Sequence, residues 1–348
     1  MPQRIRGLLC SVGGSIGWAF SGACVQCLSN QYGLGVLELT SIRMVSAGLV
    51  LLSLLQLRGH QFRFSTLKNP RMLLKIVAFG MAGVFVTQFT YAMAVSSTNA
   101  GTATVLCCLN SVMLLAVACI GARRLPLPAE VAGIFLALVS VWLIATGGNP
   151  ANLAISGEGL FWGIACAMGV TFYTAFSKPL MTKSGSIPVL AVGMLIGGIG
   201  ATACAVPHWS FPALDTAGWL MLICVVVLGT VVTFSLFFQA VMDLSAVEVG
   251  SLSVIEPVAA TVLSAVWLHS PFGTVDYVAF AMMAVMVVLV SYAGNAGQKP
   301  RLFRQARSLR QSRILRQPQF SRRAKVAGIR IMQQIRRPIG SLRRAALH

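Results

Sequence analysis

Long apolar stretches of close to 20 residues, separated by only a few polar positions, constrain this chain more than any other feature. A helix rising 1.5 Å per residue needs about 20 apolar residues to cross a bilayer core. Such stretches run at about 8–29, 36–57, 73–95, 99–120, 130–148, 158–177, 187–207, 217–239, 246–268 and 275–294. The composition agrees, with 56% hydrophobic and only 10% charged residues. Soluble domains carry about a quarter charged residues. Too few charges remain here to cover a water-facing surface, so the outer surface must face lipid. The expected fold is an all-α integral membrane protein of ten transmembrane helices. The connections leave no room for a separate soluble domain within the first 297 residues.

The net charge of +19 is unevenly placed. From Lys299 onward there are 15 Lys and Arg and no acid, whereas residues 1–298 hold 12 Lys and Arg and all 8 acids. Within that body the cations gather at alternate ends and loops: Arg4 and Arg6; Arg58, Arg63, Lys68, Arg71 and Lys75; Arg123 and Arg124; Lys178 and Lys183. The intervening loops 30–35, 96–98, 149–157, 208–216 and 269–274 carry no Lys or Arg. Positive loops stay inside. The expectation is a multi-pass protein of the cell (inner) membrane with both termini cytoplasmic. In the tail, arginines recur every third residue from Arg301 to Arg316, a spacing that winds around a helix rather than marking one face. With Pro318 and Pro338 as breakers, residues 298–348 read as a basic, disordered cytoplasmic tail held near anionic lipid head groups. Nucleic acid is the weaker reading, since the tail has neither a binding fold nor an aromatic platform. A partner protein stays open.

The body repeats. A shift of 146 lays Gly83, Val86 and Thr87 on Gly229, Val232 and Thr233, and Ala94, Ala100 and Leu106 on Ala240, Ala246 and Leu252. It also lays Glu130 on Asp276, each an acid at a helix start, where the helix dipole favours it. A shift of 144 brings Trp18 onto Trp162. Two five-helix halves are expected, at 1–148 and 158–297. Five is odd, so the halves lie oppositely in the membrane, as inverted repeats that can expose a midplane site alternately to each side.

These residues resemble a ten-helix EamA-type member of the drug/metabolite transporter superfamily. The likeness rests on Trp18 and Trp162-Gly163, Arg43 inside the second span, the Ala94…Ala100 connection, and Ile255-Glu256-Pro257 in the ninth. It covers residues 1–297. The family's second Glu-Pro is replaced by Asn110-Ser111, and its Gly-Glu pairs after spans four and nine by Ala122-Arg123 and Leu268-His269. The resemblance implies movement of metabolites, amino acids or small organic compounds, often coupled to an ion gradient.

Charges inside a bilayer cost about 2.5–3.5 kcal/mol at a helix centre. Glu256 lies near the middle of its span, and Pro257 cannot donate to the Ser253 carbonyl, which is expected to be left free. Gly250, Ser253, Glu256, Pro257, Ala260 and Ser264 share one small, polar helical stripe. Glu256 either binds a substrate amine or a coupling proton, or fixes a helix kink. Arg43 either contacts an ion or anionic substrate group, or is structural, pairing with Glu38 or snorkelling outward. Gln88 and Tyr91 share a face of span three. Together with Trp18, Asn110, Tyr173, Ser253 and Glu256 they make the candidate substrate cavity, although each polar group serves equally to join helices. Gly13, Gly17, Gly193 and Gly197 read as packing positions.

All nine cysteines lie in apolar stretches, and Cys24-x-x-Cys27 has no second pair, so no metal, cofactor or disulfide framework is expected. The start brushes against a lipoprotein leader at Ser21-Gly22-Ala23-Cys24, but the repeat needs that segment as a first membrane helix. The expected function is transport of a small solute by alternating access, with or without ion coupling. An integral-membrane enzyme or a lipid-handling scaffold is the alternative. His60, His208, His269 and His348 all lie in loops, at span ends or in the tail, and make no catalytic cluster.

Overall fold

The computed structural model describes residues 3–57, 70–149, 154–244, 248–249 and 252–296. Helices account for nearly all of it, and no strand occurs among the described residues. We label them α1 (Gln3–Asn30), α2 (Val36–Leu57), α3 (Pro70–Ser97), α4 (Ala100–Ala122), α5 (Pro128–Thr146), α6 (Gly157–Ser184), α7 (Ser186–Ala205), α8 (Thr216–Ala240, its last turn running on to Asp243), α9 (Ile255–Val266) and α10 (Thr274–Ala296). Among the described residues nine helices are long and apolar enough to cross a membrane. The expected span at 246–268 is represented by the shorter α9, because residues 245–247 and 250–251, Gly250 included, lie outside the described residues. Met1–Asn295 form one compact unit. The second unit, Ala296–His348, lies outside the described residues beyond Ala296, and the expected basic tail with it. So do Arg58, Arg63 and Lys68 of the cation-rich loop.

Each half interlocks with the other. α1 packs on α8, α6 on α3, α2 on α7, and the first half of α4 on α9. α5 meets α10, where the Ser140 hydroxyl donates to the Ala279 carbonyl at 2.7 Å. Small residues let the backbones approach, because lipid supplies no hydrophobic drive between helices. A Cβ on Gly80 would strike the backbone of Gly193 at 2.5 Å, and one on Gly198 the backbone of Val45 at 2.8 Å. Gly17 abuts Thr233, and Gly193 and Gly197 abut Phe79 and Met44, so three of the expected packing glycines are packed. Large apolar side chains such as Phe135, Leu138, Leu220 and Ile223 point outward instead.

The two halves match in detail. Gly7, Gly17 and Ser21 of α1 meet Leu244, Thr233 and Gly229, while Gly159, Gly169 and Tyr173 of α6 meet Thr98, Thr87 and Gly83. The α6 residues follow their α1 counterparts by 152 positions, and the α8-side partners follow those of α3 by 146. The offset of 144 that paired Trp18 with Trp162 is therefore wrong in register. By these contacts Trp18 corresponds to Val170, and Trp162 to Cys10. Aromatic matches in apolar helices arise easily by chance, whereas a close glycine contact fixes the register. Past the third helix the shift of 146 holds. Arg123 and His269 both take left-handed backbone, with φ of 48° and 50°. Glu130 and Asp276 both cap their helices, accepting the Leu127 and Gly273 N–H groups at 2.7 and 2.8 Å.

Candidate functional site

Two kinds of irregularity gather at mid-bundle, each present once per half. The first is a π-helical turn, at Phe79–Phe85 in α3 and Val227–Val232 in α8. Such turns widen a helix and often mark functional positions. The second is a break. α4 ends its first half at Cys107 and resumes at Asn110. The chain before α9 is likewise a turn at Ser253-Val254, and α9 starts at Ile255. Asn110 and Glu256, 146 apart, thus occupy the same place in the two halves: the first turn of a half-helix that starts inside the bundle. Discontinuous helices of this kind are where transporters build sites.

The backbone chemistry at the α9 break differs from expectation. The Ser253 carbonyl is not left free by Pro257: it accepts the Glu256 N–H at 3.1 Å. The tightened turn replaces the bond that proline cannot make. At the α4 break the Leu109 N–H likewise turns to the Leu106 carbonyl at 3.1 Å.

Around these breaks the structure brings together part of the candidate set. Glu256 is half-buried. Its carboxyl shares this part of the bundle with the Tyr91 and Tyr173 hydroxyls and the Cys107 and Cys108 thiols. Tyr91 Oη lies 3.0 Å from Thr104 Oγ1, and its ring stands against Gly22 of α1. Gln88 and Tyr173 line one small cavity together. Asn110 stays local, with its Oδ1 accepting from Ser111 Oγ at 3.4 Å, while its carbonyl accepts the Thr171 hydroxyl of α6 at 3.5 Å. Ser253 sits in the break itself. Trp18 is packed rather than free: its ring centroid is 5.2 Å from Phe234 and 5.1 Å from Phe237 of α8.

Arg43 neither snorkels nor pairs with Glu38. It is 4% exposed and points into the bundle, where Nε donates to Thr230 Oγ1 at 2.7 Å and Nη2 to the Gly229 carbonyl at 3.4 Å. Both partners belong to the α8 π turn, so the guanidinium braces that turn. Glu38 instead accepts the Ser210 N–H at 3.3 Å.

Sequence reasoning missed several participants. Thr104 and Thr230 are among them, and so is the contact of Cys107 and Cys166, whose sulfurs lie 3.2 Å apart across α4 and α6. Isolated threonines and cysteines in apolar helices carry no signal. The two ends of α1 are also clamped to α8. Asp243 accepts two bonds of 2.7 Å from Arg6 and one of 2.9 Å from Gln239, and these hold its carboxyl well below the usual carboxylate range. At the other end Asp215 caps α8 through the Gly218 N–H at 2.7 Å. It also accepts the Tyr32 hydroxyl at 2.7 Å, and both bonds lower its pKa. Among the described residues no group of three or more His, Cys, Asp or Glu is placed to hold a metal.

An interlocked pair of repeats, each with a π turn and a broken helix in matching places, is the architecture of a multi-pass membrane transporter. The EamA-like transporter family profile matches the chain twice, over residues 5–146 and 157–292. The chain belongs to that family. It is 30% identical over 291 residues to the uncharacterized inner membrane transporter YicL of Salmonella typhimurium, which covers 84% of this chain and 97% of YicL. It is 24% identical over 165 residues to the chloroplastic WAT1-related protein At3g02690 of Arabidopsis thaliana, 45% of this chain and 39% of that protein. One solved crystal structure superposes with a TM-score of 0.59 at 17% identity, covering 81% of this chain and 94% of the other, a likeness of fold.

Proposed function

We infer that the chain moves a small organic solute across the bilayer by alternating access, and that Glu256 takes up and releases a proton in the cycle. The observation that carries this reading is the placement of Glu256 in the first turn of a half-helix that starts mid-bundle. Tyr91 on α3 of the first half and Tyr173 on α6 of the second share this part of the bundle with it. An ionisable group inside a membrane bundle is a functional candidate by default. Its counterpart Asn110 does not titrate, so only one half carries the proton. The cargo sits among Gln88, Tyr91, Asn110, Tyr173, Ser253 and Glu256, with Trp18 behind the α8 side. Arg43 serves the structure by holding the α8 π turn. Both termini face the cytoplasm, as the cation-bearing loops imply, and the tail associates with anionic lipid.

A thermal-shift screen on purified protein identifies a cargo, and liposome uptake of that compound then tests the coupling. One proton per cycle supports about tenfold accumulation per pH unit of gradient. Glu256→Gln is expected to stay folded and bind cargo while losing that accumulation entirely. A Gln variant that accumulates cargo as the parent does would make Glu256 structural.

A further inference from the structure

α1 packs on α8 and α9, and its counterpart α6 packs on α3 and α4 in the same way. The bundle is therefore two repeat-related groups of helices, each drawn from both sequence halves. At the end of α4 expected to face outward, backbone hydrogen bonds tie the two groups. A helix begins with N–H groups that have no partner inside it. In α4 the Asn99 side chain accepts only the third of them, from Thr102 at 2.8 Å. The Ala100 N–H donates to Gln26 Oε1 of α1 at 2.8 Å, and the Gly101 N–H to Ser264 Oγ of α9 at 2.9 Å. The Gln26 amide is held in that sense, because its Nε2 donates to Ser270 Oγ at 3.2 Å. Ala100 and Ser264 have no exposure, so water cannot replace the bonds while the groups touch.

The repeat allows this tie at one face only. By the register of the glycine contacts Gln26 corresponds to Lys178, and Ser264 to Ala118. A lysine ammonium has donors and no acceptor, and an alanine side chain has neither. The donor places, 246 and 247, lie outside the described residues. Whatever their arrangement, Lys178 and Ala118 offer their N–H groups no side-chain acceptor. Alternating access needs the groups to part at one face as they close at the other. We propose that Gln26 and Ser264 latch the protein shut at its outer face, and that the missing inner counterpart tilts the resting equilibrium toward the state open to the cytoplasm. This rests on the alternating-access reading above.

Cys107 and Cys108 report the latch, because they lie about 10 Å further into the bundle than Ala100 at the helical rise. The probe is a small membrane-impermeant methanethiosulfonate, applied to the full chain in right-side-out and in inside-out vesicles. Labelling of these two cysteines is followed by peptide mass spectrometry. In the parent they are expected to label faster from the cytoplasmic face. Ser264→Ala and Gln26→Met each leave a buried N–H without its acceptor in the outwardly closed state, whereas water satisfies it in the open one. Each should raise the rate from the outer face about 10-fold, the worth of one such bond, while the rate from the cytoplasmic face falls or stays. Faster labelling of the parent from outside overturns the proposal, as does an outer rate that neither variant changes. Rates that rise from both faces overturn it too, since that is general loosening of the bundle. Cysteines silent from both faces in every variant overturn the latch together with the alternating-access reading. The labelling uses no cargo and no pH gradient, so a failure of proton coupling at Glu256 leaves the latch standing.

Discussion

At single residues, the bundle shows which side chains are satisfied and which are held at a cost. Glu130 has no exposure, yet it accepts a bidentate pair from Arg124 at 2.6 and 2.7 Å and a third bond from the Leu127 N–H. It is a satisfied cap. Arg123 and His269 are different, because each holds left-handed backbone at a helix end without being glycine. Such backbone is disfavoured for residues with a Cβ, and helix ends in this geometry favour glycine. Arg123→Gly is expected to stabilise the folded protein by about 1 kcal/mol, the strain outweighing the greater freedom of unfolded glycine. Chemical denaturation in detergent micelles would measure it. A variant less stable than the parent would show that the Arg123 side chain makes a contribution larger than its strain.

For the helices, register is set by glycine contacts rather than by hydrophobic pattern. Gly17 and Gly169 occupy equivalent places against Thr233 and Thr87, next to the two π turns. A Cβ on Gly169 would lie 2.6 Å from Thr87 Oγ1 and 3.3 Å from the Thr87 backbone, which cannot move aside. Gly169→Val should therefore destabilise by about 1–3 kcal/mol through overpacking. Gly121 has nothing within 4 Å of such a Cβ. Gly121→Ala should stay within about 0.5 kcal/mol of the parent. Equal unfolding midpoints for the two variants would mean that α3 and α6 are not packed as closely as described.

For the whole molecule, five spans in each half, an odd number, are expected to set the two halves in opposite senses through the bilayer. Reporter fusions test that orientation directly. An enzyme reporter active only outside the cytoplasm should be silent when fused after Lys183 and active after Asn152 or Phe211. Activity after Lys183, or silence after Asn152, would break the expected alternation and the inverted topology that depends on it. The connection between the first and third helices of the second half is six residues shorter than in the first half. That difference separates the two offsets, 152 and 146, without disturbing the match of contacts.

The sequence by itself determined that the chain is a helical membrane protein, that it is built from two halves, and which residues are out of place in lipid. Those properties depend on hydrophobicity, charge and the constant spacing of Gly83 and Gly229, Glu130 and Asp276, all of which survive without coordinates. Which helices face each other was decided only by the tertiary structure. Apolar helices look alike from all sides in sequence, so Trp18 could be slid onto Trp162 until the contacts of Gly17 and Gly169 fixed the register. The same is true of Arg43 and Ser253. A guanidinium in a span can reach several neighbours, and only folding chose Thr230 and the α8 π turn over Glu38. A proline predicts a lost bond, but the tightened turn that gives the Ser253 carbonyl to the Glu256 N–H is a property of the packed chain. Gln88 was legible as a polar residue in an apolar helix. That it lines one small cavity with Phe234, its own counterpart, could be seen only when the two halves were put together.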